Sequence, residues 1–247
     1  MSATGKKTTE TTETTATTKT TAPSAPTDAP PPAFTVVFQG VDGNQLVEYD
    51  FSKHKELIET IIQQAKDCFE IEPEITVFGK RCRQPRDVQF RSDESKGYFY
   101  SNQVMQSQPL TVEMQVLLRL VNASLGAQYN GILFNRYKNG KKTVGAHGDS
   151  EGGLDAKAGV LAISYGATRT FRVRDSARKC IVGDFPSKHL KALQMRGPTF
   201  QRKYTHEIPA QAKVLGERIS LTFRKHVPEE EARLFAKVAA QKRKRVE

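Results

Sequence analysis

The residues best suited to chemistry are two histidines, one aspartate and two arginines. A single glycine separates His147 from Asp149, and His206 lies much further along the chain. Two imidazoles and one carboxylate are the ligand set of the facial triad, which holds Fe(II) and leaves coordination positions open. Arg218 and Arg224 follow, and two arginines could hold a small dicarboxylate. This order suggests an iron-dependent oxygenase that consumes an organic acid.

The segment from Arg218 to Arg224 predicts a strand with two different faces. Alternate positions carry arginine or a hydroxyl (Ser220 and Thr222), and Ile, Leu and Phe lie between them. Successive side chains of a strand point to opposite faces, so one face is apolar core and the other carries two guanidiniums. Guanidiniums turned inward are costly unless an anion neutralises them, and arginine binds carboxylates bidentately. The alternative is a surface strand with solvated arginines.

Two residues apart on a strand, His147 and Asp149 would share one face, and the turn sequence before them places the pair at a strand's start. Alone, this pattern occurs often by chance. His54, His189 and His226 have no supporting context, so we interpret them as ordinary surface or packed residues. A zinc hydrolase is the main enzymatic alternative, because zinc accepts the same ligands. It would not require the paired arginines.

Composition points to an anionic partner and a reducing compartment. The chain has 247 residues, a net charge of +11 and a pI of about 9.6. Nucleic acid is the commonest partner of such a chain, although a generically basic protein is the simpler interpretation. Three widely spaced cysteines form no disulfide framework, and no apolar run reaches the length of a membrane span. We expect an intracellular, soluble protein with no membrane partner.

Three regions follow one another along the chain. Residues 1–33 are rich in Thr and Pro and predict a disordered tail. Residues 34–226 form the expected catalytic domain. Residues 227–247 predict a charged, solvated helix or tail whose basic run, Lys242 to Arg245, reads as a nuclear-import signal or a nucleic-acid contact. A solubilising charge run is an equally good interpretation of those four residues.

Helices come early in the catalytic region and short strands dominate later. Amphipathic periodicity predicts helices over Ser52 to Phe69 and Thr111 to Leu125. This order favours a mainly β fold with a jelly-roll core braced by two helices. The clearest predicted strands are Phe34 to Phe38, Ile75 to Lys80, Ile132 to Tyr137, Gly159 to Tyr165, Arg169 to Arg174, His206 to Ile208 and Arg218 to Arg224, with strand and loop over Phe90 to Ser101.

With these residues in view, the chain resembles the AlkB family of Fe(II)- and 2-oxoglutarate-dependent dioxygenases. It is most similar to the branch that repairs alkylated double-stranded DNA. The resemblance runs from about Val36 to His226 and implies a double-stranded β-helix with a nucleotide-recognition lid on its N-terminal side. The motifs that carry it are Val77-Phe-Gly-Lys80, Phe134-Asn-Arg-Tyr-Lys138, His147-Gly-Asp149, Tyr165-Gly-Ala-Thr-Arg169, His206-Glu-Ile-Pro209 and Arg218 to Lys225.

The resemblance assigns the iron and co-substrate ligands. His147, Asp149 and His206 match the iron ligands. Arg218 matches the partner of the distal carboxylate of 2-oxoglutarate. The remaining matches are Arg224 near the carboxylate end at the metal, Asn135 and Tyr137 on the neighbouring strand, Thr222 in support, and Ser220 where the family usually has Asn. Serine lacks the amide, which should weaken co-substrate binding rather than abolish it.

The resemblance also implies a site for a flipped base. Glu151 matches the acid that meets the polar edge of the damaged base. Tyr98, Tyr100 and Ser101 match the lid over that base, with Tyr100 where the branch has a stacking Phe. Phe78, which follows Val77, matches a finger that enters the duplex, and Arg86 matches a residue near the gap. From sequence alone, Phe78 would be an ordinary core aromatic.

The activity implied by the resemblance is oxidative removal of N-methyl groups from bases such as 1-methyladenine and 3-methylcytosine. The reaction would use Fe(II) as its cofactor and consume 2-oxoglutarate and O2. Its products would be formaldehyde, succinate and CO2. The expected partner is alkylated DNA, preferably duplex, and the expected state is a nuclear monomer. Alternatives are RNA demethylation, protein hydroxylation on the same scaffold, and a binding module without catalysis. The complete triad argues against the last.

Overall fold

The computed structural model describes residue 1 and residues 33–77, 79–100 and 103–243, so the Thr/Pro-rich tail lies almost wholly outside the described residues. Within them, strands and helices follow one another in the order β1 (Phe34–Gln39), β2 (Gln45–Asp50), α1 (Lys55–Ala65), β3 (Glu74–Val77), β4 (Lys80–Arg83), β5 (Asp87–Arg91), β6 (Gly97–Tyr100), β7 (Gln103–Gln106), α2 (Val112–Leu125), β8 (Gly131–Tyr137), β9 (Val144–His147), β10 (Val160–Gly166), β11 (Arg169–Asp175), β12 (Ile181–Ser187), β13 (Lys191–Arg196), α3 (Phe200–Lys203), β14 (Tyr204–Ile208), β15 (Arg218–Arg224) and α4 (Pro228–Arg243).

Two antiparallel sheets form the body of the fold. The larger has the order β1-β2-β13-β10-β15-β8-β5, and the smaller has the order β12-β11-β14-β9. Apolar side chains from both sheets, among them Tyr137, Phe171, Leu193 and Ile208, pack in one cluster. These two sheets form the jelly-roll core that the sequence predicted.

Two helices cover the outer face of the larger sheet. In α1, the buried Ile58, Ile61, Ile62 and Ala65 recur at helical spacing. They share a core with buried residues of α2 and with the apolar face of β15. Helix α2 begins at Thr111, whose Oγ1 accepts a hydrogen bond from the Met114 amide. The prediction of helices bracing one sheet is therefore confirmed.

Two predicted elements have different bounds. The predicted strand Ile75 to Lys80 is the hairpin of β3 and β4, because the chain reverses between Val77 and Lys80 and Gly79 has a φ of +78°. The predicted helix from Ser52 is α-helical only over Lys55–Ala65, with short 3-10 turns on either side. Ser52 provides no side-chain cap. Strands β2, β12 and β13 were not predicted.

The C-terminal segment forms α4, in agreement with the predicted helix, but it is not wholly solvated. Glu231 in its first turns is buried. The basic run begins at the end of α4, and residues 244–247 lie outside the described residues. Among the helices that are described, none has the length and apolar character needed to span a membrane.

Candidate active site

Both candidate histidine ligands lie on neighbouring strands of the smaller sheet. His147 ends β9 and pairs in register with His206 on β14, and their ring centroids are 4.3 Å apart. Asp149 follows in the loop. Its Oδ1 lies 3.7 Å from Nε2 of His147, and its Oδ2 lies 3.9 Å from Nε2 of His206. The prediction that the pair starts a strand was wrong, because β9 ends at His147; the short loop nevertheless turns Asp149 toward both rings.

Hydrogen bonding fixes the tautomer of His147. Its Nδ1 lies 2.8 Å from the carbonyl oxygen of Gly145, which can only accept, so Nδ1 carries the proton. Nε2 is then left with a free lone pair directed at Asp149 and His206, as metal binding requires. Nδ1 of His206 is buried and has no such partner among the residues that the structure describes. Its ring is held by stacking on Phe171, with 5.1 Å between centroids and 14° between planes.

The loop between His147 and Asp149 is held by Gln201 of α3. The Oε1 of Gln201 accepts a hydrogen bond from the Asp149 amide over 2.9 Å. A Cβ at Gly148 would collide with the Gln201 carbonyl oxygen. The glycine between the two candidate ligands is therefore required by close backbone approach.

Arg224 keeps Asp149 ionised. Its Nη2 donates to Oδ1 of Asp149 over 2.7 Å, and both side chains are almost completely buried. Burial alone raises the pKa of Asp149, but the charge of Arg224, together with the two imidazoles, outweighs it and lowers the pKa to about 2. Burial, with a smaller contribution from His147, lowers the pKa of His206 to about 3. Asp149 and His206 are thus in the forms that ligate a metal at neutral pH.

Strand β15 has the two faces that the sequence predicted. Ile219, Leu221 and Phe223 lie in the core beneath the helices. The alternate residues Arg218, Ser220, Thr222 and Arg224 are also buried and line a cavity of about 360 Å³. A solvated surface strand is therefore ruled out.

Arg218 forms the end of the cavity away from Arg224. It pairs in register with Tyr137, and its guanidinium carbon lies 5.4 Å from the centre of that ring. Its Nη2 donates to Ser164 Oγ over 2.9 Å, while its Nε is buried with no partner among the described residues. Burial lowers the pKa of Arg218 to about 10, because removal from water disfavours the charged guanidinium. An anion bound here would offset this desolvation cost. Ser220 pairs in register with Asn135 on the same face.

A second group of residues lines the other side of the same cavity. Tyr98 and Tyr100 stack with 5.4 Å between ring centroids and 13° between planes. Tyr98 donates a hydrogen bond to Glu151 Oε1 over 2.8 Å. Burial and the nearby Asp149 raise the pKa of Glu151. Burial also raises the pKa of Tyr98 well above its usual value.

The cavity brings together nearly all of the predicted site residues. Its lining includes Arg86, Tyr98, Tyr100, Asn135, Tyr137, His147, Asp149, Glu151, His206, Arg218, Ser220, Thr222 and Arg224. Val77 ends β3, and Ile75 of the same strand contributes to the lining. Phe78 and Ser101 lie outside the described residues.

Sequence reasoning missed several residues of the site. Gln84, which was not predicted, donates from Nε2 to the Tyr100 hydroxyl over 2.8 Å, and the predicted Arg86 donates from Nε to Asn135 Oδ1 over the same distance. Phe171 and Gln201 hold the candidate ligands. These contacts join residues far apart in the chain, and lone glutamines carry no sequence signal. Only their closeness to recognisable motifs could have drawn attention to them.

The donor set fits Fe(II) and 2-oxoglutarate. His147, Asp149 and His206 form the one metal-ligating cluster found among the described residues, with the candidate ligand atoms within 4.8 Å of one another. Asp149 Oδ2 is buried and has no hydrogen-bond partner in the described part of the chain, as an atom that binds a metal would. In the same described part, Nε and Nη1 of Arg224 and Nε of Arg218 are also buried and unpartnered. An anion with a carboxylate at each end could use these donors.

Comparison with known proteins agrees with this chemistry. Residues 46–224 match the 2OG-Fe(II) oxygenase superfamily. The human protein named DNA oxidative demethylase ALKBH2 is 29% identical over 194 residues, 76% of this chain and 74% of that protein. The Mus musculus protein of the same name is 32% identical over 161 residues, 62% of this chain and 67% of that protein. Human alkB homolog 3, named as an alpha-ketoglutarate-dependent dioxygenase, is 30% identical over 141 residues, 53% of this chain and 49% of that protein.

A solved structure described as "The structure of OsALKBH1" shares the fold. It superimposes with a TM-score of 0.55 at 16% sequence identity, covering 78% of this chain and all of that one. The family match also decides between the two enzymatic interpretations of the triad, since a zinc hydrolase would not match an iron oxygenase over the whole β core. The chain belongs to the AlkB family within the 2OG-Fe(II) oxygenase superfamily, and is a dioxygenase that uses Fe(II), 2-oxoglutarate and O2.

Proposed function

We propose that this dioxygenase removes N-methyl groups from bases of DNA, with 1-methyladenine and 3-methylcytosine as substrates and duplex as the preferred form. The observation that carries the proposal is that one cavity of about 360 Å³ joins the iron triad to a pair of stacked tyrosines and a buried carboxylate. The relatives named as DNA oxidative demethylases add support.

The roles proposed for the co-substrate side follow from unpaired donors. His147, Asp149 and His206 hold the metal. Arg218 takes the distal carboxylate of 2-oxoglutarate, and Arg224 both fixes Asp149 and lies beside the carboxylate at the metal. Asn135, Tyr137, Ser220 and Thr222 complete this part of the wall.

The roles proposed for the substrate side follow from shape and charge. A flat, cationic methylated base stacks on Tyr100, and its polar edge meets Glu151. Within the described residues, Oε2 of Glu151 is buried without a hydrogen-bond partner. An enzyme acting on a base must take it out of the helical stack, and an aromatic pocket offsets part of that cost. Tyr98 holds Glu151 in place through its hydroxyl.

Bound Fe(II) and 2-oxoglutarate supply the activation of O2, in which one oxygen atom leaves in succinate, formed with CO2, and the other enters a C–H bond of the N-methyl group. The N-hydroxymethyl group then loses formaldehyde as its hydroxyl proton passes to the ring nitrogen. The residues of this chain orient the methyl group and exclude water from the cavity.

The β3–β4 hairpin supports the preference for duplex. Val77 of β3 pairs with Lys80 of β4. The sequence between them includes Phe78, whose aromatic side chain could fill the gap left by an extruded base. Ile75 in the same hairpin lines the cavity. Arg86, shortly after the hairpin, lines it too. We propose Val77, Phe78 and Arg86 as the duplex contacts and Ser101 as part of the lid.

Salt-dependent contacts to phosphates would supply much of the affinity. Of the basic residues near the site in sequence, Lys138, Lys142, Arg172, Arg174 and Lys203 each lie within 4 Å of a carboxylate oxygen. Exposed ion pairs are weak, so DNA phosphates could compete most readily for Lys203, whose pair with Asp42 is exposed on both sides. The proposal includes nuclear action through Lys242 to Arg245, a monomeric state, and the domain limits 1–33, 34–226 and 227–247.

The test uses matched oligonucleotides that carry one methylated base, as single- and double-stranded DNA and RNA. The protein is incubated with Fe(II) and 2-oxoglutarate, and repaired base is measured. Faster repair of duplex DNA than of the other three is expected. Replacement of Phe78 with Ala should reduce duplex repair more than single-strand repair. Succinate formed only with a peptide substrate, and no repair of any oligonucleotide, would reject the proposal.

A further inference from the structure

Helix α4 lies beyond the residues matched by the family, yet it reaches the base side of the cavity through one buried glutamate. Glu229, Glu230 and Glu231 are consecutive, but only Glu231 is buried, with 3% of its surface exposed. Its Oε1 accepts hydrogen bonds from Ser95 Oγ over 2.8 Å and from Nδ1 of His226 over 2.7 Å. A buried carboxylate held this way fixes the groups that bind it.

On one side, Glu231 accepts a hydrogen bond from Ser95, which lies just before the strand that carries Tyr98. Ser95 Oγ accepts from the Gly97 amide, so the serine bound to Glu231 also shapes the entry into β6. The His226 ring packs against Phe90, with 4.7 Å between centroids, and meets Tyr98 edge-on at 6.1 Å. The back of the Tyr98 ring is therefore formed by a side chain that Glu231 orients.

On the other side, α4 packs against the loop that carries Glu151. A Cβ at Gly153 would lie 2.8 Å from Cγ of Glu231, and one at Gly152 would lie 2.8 Å from Cδ1 of Leu234. The Val227 amide donates to the Gly153 carbonyl over 2.8 Å. These two glycines let the loop lie directly on the helix immediately after Glu151.

We propose that Glu231 is a positioning residue that braces the two halves of the base pocket, so that Tyr98 and Glu151 meet in the geometry that receives the methylated base. The inference rests on the proposed function, because it gives the pocket a base as its ligand. Glu231 touches neither metal nor co-substrate ligands. Its loss should therefore affect recognition of the base and leave use of 2-oxoglutarate unchanged.

The first test compares Glu231→Leu, Glu231→Gln and the matched control Glu230→Gln in the full chain. Leucine removes the acceptor and leaves Ser95 and His226 unsatisfied, so KM for methylated DNA should rise about tenfold or more. KM for 2-oxoglutarate, from the same reactions, should stay within about twofold. Glutamine keeps an acceptor and should restore most of the affinity. The Glu230→Gln protein should match the unaltered chain.

Equal KM for DNA in Glu231→Leu and Glu230→Gln would overturn the proposal. So would a parallel loss of DNA and 2-oxoglutarate affinity, which would mean general damage to the fold. If Glu231→Leu does not fold, Ser95→Ala removes one donor only. It should then raise KM for DNA severalfold with unchanged KM for 2-oxoglutarate, and no change would reject the brace.

Hydrogen exchange tests the brace without any nucleic acid, and so separates it from the proposed function. In Glu231→Leu, amides of β6 and of residues 150–155 should exchange faster than in Glu230→Gln, while β15 amides should not change. Unchanged exchange in both segments would contradict the brace even if the enzyme repairs DNA. If Glu231→Leu exchanges faster but the unaltered enzyme repairs no methylated base, the brace is supported and a methylated base is rejected as the ligand of the pocket.

Discussion

Arg224 and Asp149 form a buried ion pair that joins the two sheets at the candidate metal site. Arg224 belongs to β15 of the larger sheet, Asp149 follows β9 of the smaller one, and their contact is 2.7 Å long. The pair fixes one carboxylate oxygen, and the other, Oδ2, has no hydrogen-bond partner among the described residues. One arginine thereby orients a candidate metal ligand and lines the cavity proposed for the co-substrate.

Replacement of Arg224 by Gln should weaken Fe(II) binding. The change removes the main charge that keeps Asp149 ionised and the bond that orients it, so affinity should fall about 10- to 100-fold. Anaerobic calorimetric titration with Fe(II) measures this. The exposed Arg178→Gln provides a charge-matched control. Equal affinity in the two variants would show that Arg224 has no part in holding the metal ligand.

Ser220→Asn should strengthen co-substrate binding. The family that the chain resembles usually has asparagine at this position, which faces the cavity beside Asn135. One added hydrogen bond of about 1 kcal/mol corresponds to a KM for 2-oxoglutarate about fivefold lower. Steady-state succinate formation at varied 2-oxoglutarate measures it, with Ser52→Asn, at an exposed serine outside the cavity lining, as the control. A raised KM would mean that the cavity has no room for the amide.

Gln84 and Tyr100 should behave as a coupled pair. Tyr100→Phe leaves the buried Gln84 amide without its acceptor and should lower the free energy of unfolding by about 1–3 kcal/mol. Adding Gln84→Leu removes both polar partners and should recover most of this loss, as chemical denaturation would show. Additive losses in the double variant would contradict the coupling. Tyr165→Phe, on a partly exposed tyrosine, is the control.

Acid should destabilise the fold through His226. Burial lowers the pKa of His226, although Glu231 raises it in part. The unfolded chain then binds the proton more tightly than the folded one, so stability falls as pH drops through about 6.5, the ordinary value. His226→Asn keeps a donor but cannot titrate, and its unfolding free energy should depend less on pH between about 7 and 5. His189→Asn, at an exposed histidine, is the control. If the free energy of unfolding depends on pH equally in the two variants, the prediction is refuted.

The sequence predicted the residues that line the site more fully than the contacts that hold those residues in place. The alternation on β15 was sufficient to separate the core face from the cavity face, because side-chain period in a strand is strict. The three candidate ligands were singled out because the paired arginines of the same sequence supply what a dicarboxylate co-substrate needs. Their exact setting, with Asp149 beyond the end of β9, depends on Gln201 from a distant turn.

The supporting contacts escaped prediction because they join segments that no local pattern connects. Glu231 stands in a run of three glutamates that looks uniformly solvated, and only tertiary packing distinguishes the third. His226 had no motif around it. Strand β12 contains Gly183 and Pro186, which weaken any strand signal. Each of these features is determined by a partner far away in the chain.

The most direct test of the account is the stoichiometry of a single reaction. The protein is given Fe(II), 2-oxoglutarate, O2 and a duplex with one 1-methyladenine, and repaired adenine, formaldehyde and succinate are quantified together. The account predicts one formaldehyde for each adenine restored, at least one succinate for each, and no repair by Asp149→Ala. Succinate formed with no adenine restored, or repair that persists in Asp149→Ala, would contradict it.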